Sequence, residues 1–279
     1  MAYPTDSLPD QTRPEASRDL DALKQALSQE GYVLLRNVVS PERLSRLAAT
    51  LSDEFERAKR SGQLFSGGGL LSGHLNCFPG EEARFAYDTL REHGIVDLVR
   101  QAFPKAVRPP NVGCNFNLPG SVTQHYHADR NFVDYFMIVN VAVVNTDLEN
   151  GAIDIVPGTH KKFYKYWRFA VERPDRAAIR VPMRQGDVLV RNSNVWHRGM
   201  PNHTLVPRPM LAFTWEDGGS HEADPFAVNG GKIAFRQNWF RPTFVGRLRE
   251  RTFVTAPVTY SAYRFVSSLF DGTKGYDRQ

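Results

Sequence analysis

The spacing of apolar residues divides the chain into a helical first third and a strand-rich remainder. In "SRDLDALKQALSQEG", Leu20, Leu23 and Leu27 recur on one helical face, and Gly31 supplies the stop. "YVLLRNVV" (32–39) is a short, mostly apolar run and predicts a strand. Ser40 then offers an N-cap and Pro41 a first-turn residue for a helix whose stripe is Leu44, Leu47, Leu51 and Phe55. Segment 62–80, "GQLFSGGGLLSGHLNCFPG", is glycine-rich and reads as irregular, a possible lid over a site. Helical spacing returns in "EEARFAYDTLREHGIVDLVRQAF" (81–103).

From about residue 107 the period changes. "NVGCNFN", "TQHYHAD", "YFMIVNVAVV", "AIDIVPG", "IRVPM", "GDVLVRNSNVWH" and "PRPMLAFTW" are short β-branched and aromatic runs separated by Gly, Pro and Asn. Segment 159–178 interrupts them as a partly helical insertion. The pattern predicts a mainly β protein with flanking helices, its core a jelly-roll or cupin-like double-stranded β-helix. We expect a disordered N-terminus (1–16) and one domain over 17–279. That domain comprises a helical flank (17–106), a jelly-roll core (107–216) and a basic C-terminal extension (217–279).

Composition changes this picture little. Hydrophobic residues at 41% and charged residues at 23% are those of a soluble globular chain. Two cysteines, Cys77 and Cys114, make no disulfide framework, which favours a reducing, cytoplasmic setting. The opening "MAYPTDSLPDQTRPEASRD" has no apolar run after basic residues, so no secretory signal is expected. "YFMIVNVAVV" (135–144) is about half of what a span needs and contains Asn140, so no membrane span is expected either. Charge is uneven: from Gly230 onward nine Lys/Arg stand against three Asp/Glu, within a chain of net charge +5. Such a tail could meet an anionic substrate, nucleic acid or an acidic surface, or simply be solvated. No nucleic-acid motif accompanies it, and no nucleic-acid partner is expected.

The chemistry concentrates in "QHYHAD". If this run is a strand, His127 and Asp129 face one side and a metal could sit between them. His197, ending "GDVLVRNSNVWH", is the best-placed third ligand. Two histidines and a carboxylate with open positions opposite form the facial triad of non-haem Fe(II) oxygenases. A bare His-x-Asp pair is also common in turns and salt bridges, and His125 shares the predicted face of His127 as a packing residue or a substitute ligand. The glycine-rich 62–80 lacks the Lys-Ser/Thr ending of a phosphate-binding loop.

Arg208, eleven residues after His197, could clamp a carboxylate in a bidentate, charge-assisted pair. Over roughly 30–215 the chain resembles the phytanoyl-CoA dioxygenase (PhyH)-like family of Fe(II)/2-oxoglutarate-dependent oxygenases. The motifs that carry the likeness are "GYVLLRNVVSPERLSRL", His-x-Asp at 127–129, "ENGAIDIVPGTH", "GDVLVRNSNVWHRGMPN" and "PRPML". "NFNLPGS" is also similar to members that oxidise aminosugar antibiotics. The resemblance implies that His127, Asp129 and His197 are both the catalytic and the metal residues, holding Fe(II). It implies that Arg208 binds 2-oxoglutarate, that Gln124 lines the cofactor pocket, and that His160 supports a Pro-Gly-Thr-His turn. Asn115 and Asn117 would point inward, chiefly as hydrogen-bonding residues, and His203 would be a loop residue. O2 and 2-oxoglutarate would be co-substrates, succinate and CO2 products, and ascorbate the reductant in vitro. Asp129 implies oxygenation rather than halogenation, because related halogenases carry a small residue there. Hydroxylation of a small molecule is the expected reaction. "KKFYKYWRF" (161–169) and the basic tail lean towards an anionic substrate, beside sugar-like and acyl candidates. The alternatives are an inactive jelly-roll binding module and a cupin-like Zn/Mn enzyme without 2-oxoglutarate.

Overall fold

A computed structural model describes residues 19–62, 64, 69–236 and 243–270. The expected disordered stretch 1–16 lies outside them, as does part of the expected lid (63 and 65–68). Helix α1 (Leu20–Glu30) starts where Asp19 accepts from the backbone N–H groups of Asp21 and Ala22. It ends at Gly31, whose φ of 83° is left-handed and whose N–H closes on Leu27 O. Strand β1 (Tyr32–Leu35) follows, and then α2 (Pro41–Arg60), capped by Ser40. The predicted stripe of α2 is the buried one: Leu44, Leu47, Leu51 and Phe55.

Segment 62–80 is less irregular than its glycines suggest, because His74–Phe78 forms strand β2. Leu75 and Cys77 alternate inward beneath the helices, and the strand pairs along β3, so burial outweighs local composition. Helices α3 (Arg84–Glu92) and α4 (Ile95–Ala102) come next, then β3 (Asn111–Asn117) and β4 (Met137–Ala142). Strand β5 (Ile153–Ile155), helix α5 (Tyr166–Glu172) and strand β6 (Ile179–Val181) follow, the helix falling inside the predicted insertion. The chain continues through β7 (Val188–Asn192), β8 (His197–Arg198), β9 (Arg208–Thr214) and β10 (Ala234–Arg236) into α6 (Phe244–Thr255) and α7 (Pro257–Phe270).

Among the described residues a seven-stranded sheet, β1-β7-β4-β9-β3-β2-β10, faces a three-stranded one, β6-β5-β8. The named strand pairs are antiparallel, as the jelly-roll expectation requires. Period-two alternation gives the large sheet two different faces. Leu75, Cys114, Phe116, Val139, Val190, Leu211 and Phe213 pack under the helices. The other face meets the small sheet through Ala142, Leu189 and Met210, against Ile155 and Val181. At one end that inner face turns polar, and a cavity opens there. Cys77 and Cys114 oppose each other across β2 and β3, and both are buried. No described helix is long and apolar enough to cross a membrane.

Candidate metal centre

The run "TQHYHAD" is not the regular strand its sequence suggested. After the Leu118–Gly120 turn the chain follows β8 through scattered bonds: Gln124 N–H to Gly199 O, and Asp129 N–H to Ser193 O. Only His127 makes a bridge, with His197, each N–H donating to the other's carbonyl at 3.0 and 2.9 Å. That bridge alone sets two imidazoles side by side, their ring centroids 4.5 Å apart. Asp129 comes round to meet them, its Oδ1 3.9 Å from His127 Nε2 and 3.6 Å from His197 Nε2. One donor atom from each residue lies within 4.8 Å of the others, close enough to share a single ion.

The donors are prepared for a metal. His127 Nδ1 donates to His125 O at 2.8 Å and His197 Nδ1 to Val195 O at 2.9 Å. With each ring proton tied to a carbonyl, the Nε2 lone pairs face Asp129. Burial holds His127 below the usual histidine range, and burial with the nearby Arg191 guanidinium takes His197 down to about 3. Both rings are therefore neutral at pH 7. Burial pushes the Asp129 carboxyl up, but Arg191 and the two imidazoles outweigh it, so Asp129 stays ionised well below the ordinary carboxylate range. Two neutral imidazoles and one carboxylate suit a divalent first-row ion such as Fe(II).

Arg191, on β7, was not singled out in the sequence. Its Nη1 donates to Asp129 Oδ2 at 2.6 Å, leaving Oδ1 turned to the histidines. Its Nε donates to Asn140 Oδ1 at 3.2 Å, and Asn140 in turn donates to Leu211 O. A charged residue at an inward position of the apolar run "VLVRN" was the available signal.

Arg208 opens β9 with only 6% of its surface exposed. It donates to two backbone carbonyls, Asn150 O at 3.4 Å and Gly151 O at 3.1 Å, and has no ion pair among the described residues. Burial lowers its pKa to about 10, so it remains a cation. A cavity of about 620 Å³ joins it to the triad, lined also by His74, Asn76, Asn115, Asn117 and Gln124. Gln124 is partly committed, since its Oε1 accepts from Gly199 N–H at 2.8 Å.

Other histidines lie elsewhere. His125 turns away from the centre, stacked on Tyr260 at 5.0 Å, edge-on to Phe253, and 3.2 Å from Ser261 Oγ. These partners belong to α6 and α7, so the C-terminal hairpin grips the segment that carries His127. Arg264 of α7 adds a bond to Tyr126 O, and Glu250 of α6 holds Ser72. His160 bonds Ser28 O against α1, and His203 lies in an exposed loop.

Burial lowers His74 and His125 to about 4 from the ordinary 6.5. Below pH 6.5 the unfolded chain takes up protons that the fold refuses, so stability is full above 6.5 and declines as pH falls towards 4. For His74, 7% exposed, the loss is on the order of 3 kcal/mol. Urea unfolding of the metal-free protein between pH 7.5 and 4.5 should show this slope, and His74→Gln should reduce it, with His125, His127 and His197 supplying the remainder. An unchanged slope would mean that His74 is already solvated.

A model of the phytanoyl-CoA dioxygenase (PhyH) family matches residues 27–210. A probable alpha-ketoglutarate-dependent hypophosphite dioxygenase of Stutzerimonas stutzeri is 27% identical over 148 residues, 45% of this chain. That match spans about half (51%) of the relative's length. Dioxygenase hkm4 of Aspergillus hancockii is 24% identical, over 73% of each chain. Among solved structures, the epimerase SnoN in complex with Fe3+, alpha ketoglutarate and nogalamycin RO superposes with a TM-score of 0.51. Its identity is 20%, with 70% of this chain and 82% of that one covered, a likeness of fold.

Proposed function

The chain belongs to the phytanoyl-CoA dioxygenase family, and from that premise we propose that it is an Fe(II)- and 2-oxoglutarate-dependent dioxygenase that hydroxylates a small molecule. In this reading His127, Asp129 and His197 hold the iron, and Arg208 holds the distal carboxylate of 2-oxoglutarate. When bound, iron and 2-oxoglutarate supply the oxidising power: O2 is consumed, 2-oxoglutarate becomes succinate and CO2, and one oxygen atom is left for the substrate.

The observation that carries the reading is Arg208, a buried cation that among the described residues meets carbonyl dipoles and no carboxylate, open to the same cavity as the triad. Burying an unpaired charge is costly, so the site is built for an anion that arrives. A guanidinium matches a carboxylate in geometry as well as charge. The neutral His127 and His197 need lose no proton to become ligands, and Asp129 is already ionised. Arg191 keeps that carboxylate oriented before any ion arrives, which reduces the reorganisation needed on binding.

The test is succinate release from 2-oxoglutarate by the purified chain with Fe(II), ascorbate and air, beside anaerobic titration with Fe(II) and 2-oxoglutarate. Turnover that requires both is the expected result. No turnover, with neither molecule binding, would discard the dioxygenase reading in favour of a binding module.

A further inference from the structure

The backbone bonds of Gln124, His127 and Asp129 fix how far their segment runs from β8. The segment forms no regular ladder, however, so its roll about those bonds is left to the side chains. The side chains that meet behind the two imidazoles converge on one buried carboxylate, Asp154.

Asp154 is the middle residue of β5, the central strand of the small sheet. It stands in register with Arg180 of β6 on one side and Arg198 of β8 on the other. Its neighbour Ile155 is in register with His197 and packs on the inner face, so alternation puts Asp154 and Arg198 on the outer one. There Asp154 is fully buried. Its Oδ1 accepts from Arg180 Nε at 2.5 Å and its Oδ2 from Arg198 Nε at 2.9 Å. Oδ2 also accepts from the hydroxyl of Tyr126 at 3.3 Å, and the Arg198 guanidinium lies over the Tyr126 ring, 4.2 Å from its centroid.

Tyr126 immediately precedes His127, and Arg198 immediately follows His197. A single oxygen, Asp154 Oδ2, thus ties down the chain directly beside both histidines. None of Tyr126, Asp154, Arg180 and Arg198 lines the cavity, so whatever they do to a ligand there passes through their neighbours. Stability alone does not account for the cluster. Burying two guanidinium groups around one carboxylate costs desolvation, and apolar residues of similar volume often hold a fold as well or better. What the carboxylate adds is direction: charge-assisted hydrogen bonds fix the angle between partners as well as their contact.

Resting on the dioxygenase reading above, we infer that Asp154 is a positioning residue for the metal centre, setting the His127 and His197 imidazoles relative to each other through Tyr126 and Arg198. The two arms end on different ligands. Arg180 shares the same carboxylate from the edge strand β6 and adjoins neither histidine. It therefore separates positioning from simple fastening of the sheet.

The experiment titrates the full chain with Co(II), whose visible absorption responds to the geometry of its ligands, and reads affinity and spectrum beside the urea midpoint. Asp154→Asn keeps the volume and an acceptor but loses the charge. It should weaken Co(II) binding about tenfold, as loss of the partners that orient metal ligands does, and shift the absorption of the bound ion. Tyr126→Phe removes one hydroxyl and should weaken binding at least about twofold, with a spectral shift in the same direction. Arg180→Met should stay within about twofold of the parent and keep its spectrum, whatever its urea midpoint. Parent-like affinity and spectrum in Asp154→Asn overturn the inference. So does a loss in Arg180→Met equal to that in Asp154→Asn, because general loosening of the sheet then explains both. If Asp154→Asn does not fold, Tyr126→Phe decides by the same two readouts, and parent-like values there overturn the inference. A parent chain that binds neither Co(II) nor Fe(II) is a different outcome: it strikes the dioxygenase reading, and the inference falls with it.

Discussion

An Arg208→Met variant should bind 2-oxoglutarate at least about 30-fold more weakly than the parent while its ligand-free form is more stable. The two effects share one cause. Arg208 is buried and, among the described residues, meets the carbonyls of Asn150 and Gly151 and no anion, so the fold without ligand bears the cost of a desolvated cation. Methionine fills similar volume without charge, and such replacements are often stabilising, here by about 1 kcal/mol. The ligand loses its partner: removing one side of a buried, hydrogen-bonded charge pair costs roughly 2–5 kcal/mol, or at least about 30-fold in affinity. Calorimetry with 2-oxoglutarate and urea unfolding without it measure the two halves. A variant that is less stable when empty and equally tight for 2-oxoglutarate would show that Arg208 serves the fold rather than the ligand.

Asp129→Ala should abolish Fe(II) binding and also destabilise the metal-free protein by about 3 kcal/mol. The second effect comes from Arg191, whose side chain is 6% exposed and whose charge is met by Asp129. Removing one member of a buried pair strands the other. The double variant Asp129→Ala/Arg191→Met should regain most of that stability and none of the metal binding. This separates lost ligation from a damaged fold, and lost turnover in the single variant means little without it. A single variant as stable as the parent would place the Arg191 guanidinium in solvent.

That His127, Asp129 and His197 come together was legible in local sequence, though strand geometry is not what brings them there. His127 and Asp129 were paired because a strand puts alternate residues on one face, yet the segment is no regular strand. A single bridge to His197 does the aligning instead. Ser40, Pro41 and the leucine stripe of α2 were readable because capping and periodicity are local. Arg191 was not, since its meaning depends on Asp129, 62 residues away. Strand β2 hid among glycines because its stability comes from β3. The basic tail drew notice for charge, whereas its structural contribution comes from Phe253, Tyr260, Ser261 and Arg264, which form no charge run.

That tail lies beyond the residues that the family model matches, which end at 210. Its aromatic rings nevertheless lock His125, whose carbonyl fixes the ring of His127. A segment outside the matched residues thus presses, through His125, on the segment that carries His127. Substitutions in the tail can therefore change the attitude of the His127 imidazole while every donor atom of the proposed triad stays in place.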